Sequence, residues 1–243
     1  MKIIKLNAID STNSFLKEMA QKKPLKNFTV VIASSQNKGK GQRGSQWVSE
    51  PHKNLLCSVY IAFDDLLVQD QVFLNYAVSV AVLNTLKEYK LPKLQVKWPN
   101  DILSSNHKIC GLLVENVIQK NTIASSVIGI GLNVNQEKFQ KNLPKATSVK
   151  IQIKKEISIY DLLQKIIVAL KETIHLLNSP KKMELKEMYL KNLHKKDVPS
   201  MFKDNKGVLF MGIIKGVSSE GKLQIQLKDE VLKEFGIQEV SFV

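Results

Sequence analysis

Residues 97–135 read KWPNDILSSNHKICGLLVENVIQKNTIASSVIGIGLNVN. Inside this stretch, KICGLLVENVI (108–118) and TIASSVIGIGLNVN (122–135) are apolar runs parted by Gln119-Lys120-Asn121 alone. Apolar, β-branched runs joined by so short a polar link predict two strands of one hairpin. Upstream, KLQVKWP (93–99) predicts a strand stopped at Pro99, because proline brings no N–H to a ladder. A hairpin at the centre of the chain points to an antiparallel-leaning sheet.

Working outward from the hairpin, residues 1–6 predict a short strand. Asp10 or Ser11 is placed to cap a helix carrying Phe15, Leu16 and Met19. FTVVIASS (28–35) and NLLCSVYIAF (54–63) predict further strands, on either side of a polar, glycine-rich loop at 36–46. Residues 70–89 predict a helix with the stripe Val72, Phe73, Tyr76, Ala77, Val80, Leu83 and Leu86. Residues 136–157 read as irregular, and helices follow at about 158–178 and 181–193. Near Lys195 the texture changes to short alternating runs, VLFMGIIKGV, KLQIQL and QEVSFV, with SSEG as a hairpin turn. Strands and helices in separate runs predict an α+β main body, 1–194, followed by a small barrel-like unit, 195–243.

The composition sets bounds on function. A chain of 243 residues, 44% hydrophobic and 24% charged, suits a globular protein with a real core. No apolar run approaches a membrane span, and MKIIKLNAIDSTNSF has no secretory h-region, so the cytoplasm is expected. Cys57 and Cys110 sit in apolar runs without C-x-x-C spacing and read as reduced core thiols. The four histidines have no metal-ligand spacing. A net charge of +14 invites a phosphate polymer, yet the excess is lysine and Arg43 is the only arginine. Base readout leans on arginine, so specific DNA recognition is not expected.

Four segments carry chemistry. Gln36-Asn37-Lys38-Gly39-Lys40-Gly41-Gln42-Arg43-Gly44 puts three glycines within six residues, interleaved with the cations Lys40 and Arg43. Such a loop bends easily and can present backbone N–H groups to an anion. Read alone, it suits a flexible basic surface loop equally well. Its G-x-G-x-x-G spacing is not followed by a helix, and G-x-x-x-x-G-K-[ST] is absent, so it is neither a dinucleotide fingerprint nor a P-loop. Lys97-Trp98-Pro99-Asn100-Asp101 presents Asn100 and Asp101 at a strand tip, as turn residues or with the Asp101 carboxylate holding Mg²⁺ or receiving a proton. Lys108 opens an apolar strand in which Gly111 marks the close approach of a ligand or another backbone. In Gly129-Ile130-Gly131-Leu132-Asn133 the glycines thin one strand face and Asn133 offers an amide suited to a purine edge.

In this order and spacing, Ser11-Thr12-Asn13, the Gln36 to Trp47 loop, KWPND, Lys108-x-x-Gly111-x-Leu113-x-Glu115 and GIGLNVN resemble the catalytic core of biotin–protein ligases. The motifs cover about residues 6–150. The resemblance implies a class II synthetase-like fold, a mixed, mostly antiparallel sheet flanked by helices, with a small C-terminal SH3-like β-barrel. It implies ATP-dependent formation of biotinyl-5′-AMP and transfer of biotin to one lysine of a biotin carboxyl carrier domain, the acetyl-CoA carboxylase reaction or a related one. Ser11, Thr12, Asn13 and Gln36 match positions that hold biotin's ureido head, and Gly39, Lys40, Gly41, Gln42, Gly111 and Leu113 match the rest of the biotin site. Lys108, Lys40 and Arg43 match cations facing carboxylate and phosphate. Arg43, Trp47, Asn100 and Asn133 match the nucleotide pocket, and Asp101 stands near the Mg²⁺ that enters with ATP and the incoming lysine. Many relatives carry a cation where this chain has Gln42. The same broad fold serves lipoate–protein ligases and octanoyl transferases, the alternative reading. Ser11-Thr12-Asn13 stands close to the start, so no upstream helix-turn-helix is expected, and the oligomer is a monomer or a homodimer.

Overall fold

Strand β1 (Lys2–Ile9) runs parallel to β2 (Thr29–Gln36), and α1 (Thr12–Lys22) makes the crossover that parallel neighbours require. The structure is a computed structural model describing residues 2–140 and 145–243. Met1 of the expected first strand, and 141–144 of the expected irregular segment, lie outside the described residues. Of the two proposed helix caps, Ser11 serves: its extended backbone precedes α1 and its Oγ accepts the Ser14 N–H at 3.4 Å.

The remaining strands of the main sheet are β3 (Asn54–Ala62), β4 (Leu94–Lys97), β5 (Asp101–Ser104), β6 (His107–Gln119) and β7 (Thr122–Asn133). Their order in space is β1-β2-β3-β7-β6-β5-β4, antiparallel everywhere except β1–β2. The β6–β7 hairpin read from the sequence thus lies at the centre of the sheet. The four-residue β5 was not read from the sequence, because DILS is too short to show a period.

Helix α2 (Gln71–Glu88) is buried on more than the predicted stripe: Leu74, Val78, Ala81 and Val82 are buried too. The reason is packing on both sides. The sheet covers one side, and α4 (Ile159–His175) and α5 (Lys182–Lys191) cover the other. The segment read as irregular contains a five-residue helix, α3 (Val149–Ile153), capped by Ser148. The outer edge of β4 is covered, since Val96 exchanges backbone hydrogen bonds with Asn192 and His194, each at 2.8 Å.

The C-terminal region forms a second sheet from β8 (Pro199–Asp204), β9 (Leu209–Val217), β10 (Leu223–Gln226), β11 (Leu232–Phe235) and β12 (Val240–Phe242). Its order is β11-β10-β9-β8-β12. Among the described residues β11 and β12 do not pair, so the expected barrel is an open antiparallel sheet closed over by side chains: Phe202, Phe210, Phe235 and Phe242. Among the contacts that tie this sheet to the main body are an aromatic one and a hydrogen bond. Phe242 packs edge-on against His194. The Trp98 indole N–H donates to the Gly221 carbonyl at 3.0 Å, reaching from KWPND into the SSEG turn.

Removing that donor tests the tie. Trp98→Phe keeps an aromatic ring and is expected to cost about 1 kcal/mol or more, lowering the melting temperature by roughly 2–4 °C. An unchanged melting temperature in calorimetry would show that the bond carries no stability.

Candidate functional site

The site starts from two missing side chains. Gly111 on β6 and Gly131 on β7 are ladder partners, and the Trp47 indole lies across both. A Cβ at Gly131 would sit 2.6 Å from Trp47 Cε2, and one at Gly111 would sit 2.9 Å from Cζ3. The close approach expected at Gly111 is therefore made by an indole carried on the glycine loop. That loop is itself ordered as a small hairpin: Lys40 bridges Gln46, the Gly41 N–H donates to the Ser45 carbonyl at 2.7 Å, and the Trp47 N–H donates to the Gly39 carbonyl at 2.9 Å.

Between this loop, the start of α1 and the β6–β7 floor lies a cavity of about 210 Å³. Among the expected residues, Ser11, Thr12, Asn13, Gln36, Lys40, Gly41, Gln42, Trp47, Asn100, Asp101, Lys108, Gly111 and Leu113 line it. Three do not. Gly39 is buried beneath the loop, against the Trp47 backbone. Arg43 is exposed at the loop tip with a left-handed φ of 47°. Asn133 is buried behind the floor, where its Nδ2 donates to the Thr147 carbonyl at 3.0 Å.

Charge collects at one end. Lys108 Nζ lies 2.7 Å from Asp101 Oδ1 and 5.5 Å from the Trp47 ring centroid. Both charged groups are held by backbone. Asp101 begins β5 opposite Gly111, and Lys108 exchanges hydrogen bonds with the 145–147 segment. Asn100 is fixed beside them, its Nδ2 and carbonyl both bonded to the Leu112 backbone. Three buried side-chain polar atoms have no hydrogen-bonding partner among the described residues: Trp47 Nε1, Asn133 Oδ1 and, on α2 and not among the cavity's lining residues, Tyr76 Oη. Buried polar atoms are normally satisfied, and of the three only Trp47 belongs to a residue that lines the cavity.

The other end is polar and almost neutral. The Gln36 Oε1 accepts the Thr12 N–H at 2.7 Å. Ser58 Oγ lies 2.8 Å from Thr12 Oγ1 and 2.5 Å from Asn13 Oδ1. Asn13 Nδ2 donates to Glu115 Oε2 at 2.9 Å, and Lys17 closes the row on Glu115 Oε1 at 2.7 Å. Burial pushes the Glu115 carboxyl up, but the hydrogen bonds from Lys17 and Asn13 outweigh it and hold the group below its ordinary value. Sequence reading missed Ser58 and Lys17 and gave Glu115 no role of its own. Ser58 hides in the apolar run LLCSVYIAF. Cys57 also lines the cavity, but burial raises its thiol to about 12, so it is a neutral side chain and not a thiolate nucleophile.

Comparison with known proteins agrees with this geometry. The bifunctional ligase/repressor BirA of Escherichia coli is 30% identical over 138 residues, 57% of this chain and 42% of that protein. The biotin–[acetyl-CoA-carboxylase] ligase of Mycobacterium tuberculosis is 34% identical over 123 residues, 49% of this chain and 44% of that protein. These matches span less than half the length of those relatives. The biotin protein ligase of Aquifex aeolicus, solved in complex with biotin and ATP, superposes with a TM-score of 0.80 at 24% identity, over 100% of this chain and 98% of that one. This likeness shows the fold, C-terminal sheet included. Residues 6–133, more than half of the 243, match the biotin/lipoate A/B protein ligase family, and the chain belongs to that family.

Proposed function

We propose that the chain is an ATP-dependent biotin–protein ligase. The observation that carries this reading is one cavity with two unlike ends: an uncharged hydrogen-bonding wall at Ser11, Thr12, Asn13 and Gln36, and a charged end at Asp101 and Lys108, with Lys40 also lining the cavity from the loop. Biotin has the same polarity, a neutral ureido head and a carboxylate tail. In the first half-reaction the carboxylate attacks the α-phosphate of MgATP and expels pyrophosphate, leaving biotinyl-5′-AMP. Two anions must approach each other for this, and Lys108 and Lys40 offset their repulsion. In the second half-reaction a lysine amine of a carrier domain attacks the acyl carbonyl and AMP leaves.

Lys108 is paired with Asp101, so it exchanges a protein carboxylate for the substrate anions on binding. That exchange frees Asp101 for the incoming amine or for the magnesium that ATP brings. Magnesium is commonly held by one or two carboxylates together with substrate phosphates, and Asp101 is the carboxylate among the described lining residues. The partnerless Trp47 Nε1 suits an acceptor nitrogen of adenine. Arg43 and the 36–47 hairpin close over the adenylate and shield the anhydride from water. Residues 1–194 form the catalytic unit and 195–243 a smaller one, which steadies KWPND through Trp98. The acceptor is a carrier domain of a biotin-dependent carboxylase, in the cytoplasm.

Lys108→Ala is expected to lower biotin-dependent pyrophosphate exchange by roughly 100-fold or more, with unfolding unchanged. Near-normal exchange would remove Lys108 from this role. Biotin, and not lipoate, is expected to raise the melting temperature of the native protein. A shift with lipoate alone would reassign the chain to the lipoate branch of the family.

A further inference from the structure

We infer that Lys97 and Lys195 hold the β- and γ-phosphates of ATP, and so receive the pyrophosphate that the first half-reaction releases. The inference rests on the biotin reading and deepens it, since it gives the C-terminal unit a share of the nucleotide site.

Four ladder partners cross the main sheet in one row: Gly131 on β7, Gly111 on β6, Asp101 on β5 and Lys97 on β4. Residues paired directly across neighbouring strands project to the same face, and each strand adds about 5 Å. Lys97 is therefore the next position outward from the Lys108–Asp101 pair, on the cavity's own face of the sheet. The neutral wall stands at the opposite end of this direction, where the Asn13 carboxamide covers Gly129 on β7 and bonds Ser58 on β3. A ligand with its head at that wall and its carboxylate at Lys108 points across the strands toward β4. In displacement at phosphorus the entering and leaving oxygens stand roughly in line. The carboxylate oxygen bonds to the α-phosphorus, and the bond from that phosphorus to the oxygen bridging the β-phosphate breaks. Pyrophosphate takes the electron pair and leaves on the side away from the ligand's head, which is the side of Lys97.

A second cation meets Lys97 there. Lys97 Nζ lies 5.5 Å from the centroid of the Phe242 ring, and Lys195 Nζ lies 5.6 Å from the same centroid. One belongs to KWPND and the other to the start of the C-terminal unit. Both are half-buried, and neither makes an ion pair among the described residues. The carboxylates beside them are engaged elsewhere, Asp101 by Lys108 and Asp197 by Lys196 and Lys215. His194 packs against the same ring, and burial, followed by Lys195 and Lys97, pushes its imidazole down to about 4. It is neutral at physiological pH and leaves the local charge to the two lysines. Ring contact offsets part of their repulsion. A polyanion would offset the rest, and an ammonium is a good partner for phosphate oxygens.

The test is calorimetric titration of native protein, Lys97→Met, Lys195→Met and Lys97→Arg with ATP and, separately, with AMP, alongside melting temperatures. Each methionine variant is expected to bind ATP roughly tenfold more weakly and AMP within about twofold, because AMP lacks the two phosphates concerned. Lys97→Arg is expected to recover most of the ATP affinity. Transfer to a carrier domain from added biotinyl-5′-AMP is expected to stay within about twofold in every variant, since pyrophosphate has already left that substrate. Unchanged ATP affinity in either methionine variant would overturn the inference and leave the biotin reading standing. Parallel losses of ATP and AMP affinity, or loss of transfer from added biotinyl-5′-AMP, would also overturn it, as the mark of a merely structural role. A native protein that makes no biotinyl-5′-AMP from biotin and ATP would overturn the reading on which it rests. Should Lys97→Met fail to fold, Lys195→Met decides, since it lies outside the main sheet.

Discussion

Gly111 and Gly131 face each other across the β6–β7 ladder, and the Trp47 indole rests on both. Strand pairs at the centre of a sheet usually carry side chains that fill the space above them. Here that space is handed to a loop residue, and a trough opens beside it, long enough to hold a ligand with two chemically different ends. Any side chain at Gly131 would meet the indole and lift the loop. The loop's order, the cavity's floor and the position of the Lys108–Asp101 pair beside the ring all depend on this backbone-thin pair.

The rest of the fold can be understood as support for that trough. Helix α2 is buried almost all round because it backs the sheet while α4 and α5 back it in turn. This backing supports the cavity floor on β6 and β7. Ser11 caps α1 and brings Thr12 and Asn13 to the wall, so the same turn of helix starts the helix and lines the cavity. The Trp98 to Gly221 bond does the same for the charged end, linking the turn that carries Asp101 to the C-terminal sheet.

Much of this could be read in the sequence. The long, periodic elements were legible because the periods of strand and helix persist over enough residues to stand out. The central hairpin at 108–135 and the helices near 70–89 and 158–178 belong to that group. Strands β5, β8 and β11 were not, being four to six residues long and set in turns. The expected barrel became an open sheet because β11 and β12 do not pair among the described residues, which no local pattern reveals. In the site, residues carried by compact motifs gather around the cavity. Arg43, Gly39 and Asn133 do not line it, since one lies at a loop tip and two are folded behind the surface. Ser58 was invisible because a single hydroxyl in a buried strand looks like ordinary core until the strand opposite is known.

On the proposed function, this trough activates a carboxylate with ATP and hands it to an amine. Its most direct measurement is transfer of labelled biotin, with MgATP, to the acceptor lysine of a biotin carboxyl carrier domain. The account expects label on the carrier only when ATP is present, and none when that lysine is replaced by arginine. A carrier left unlabelled under conditions where the protein is folded and binds biotin would contradict it.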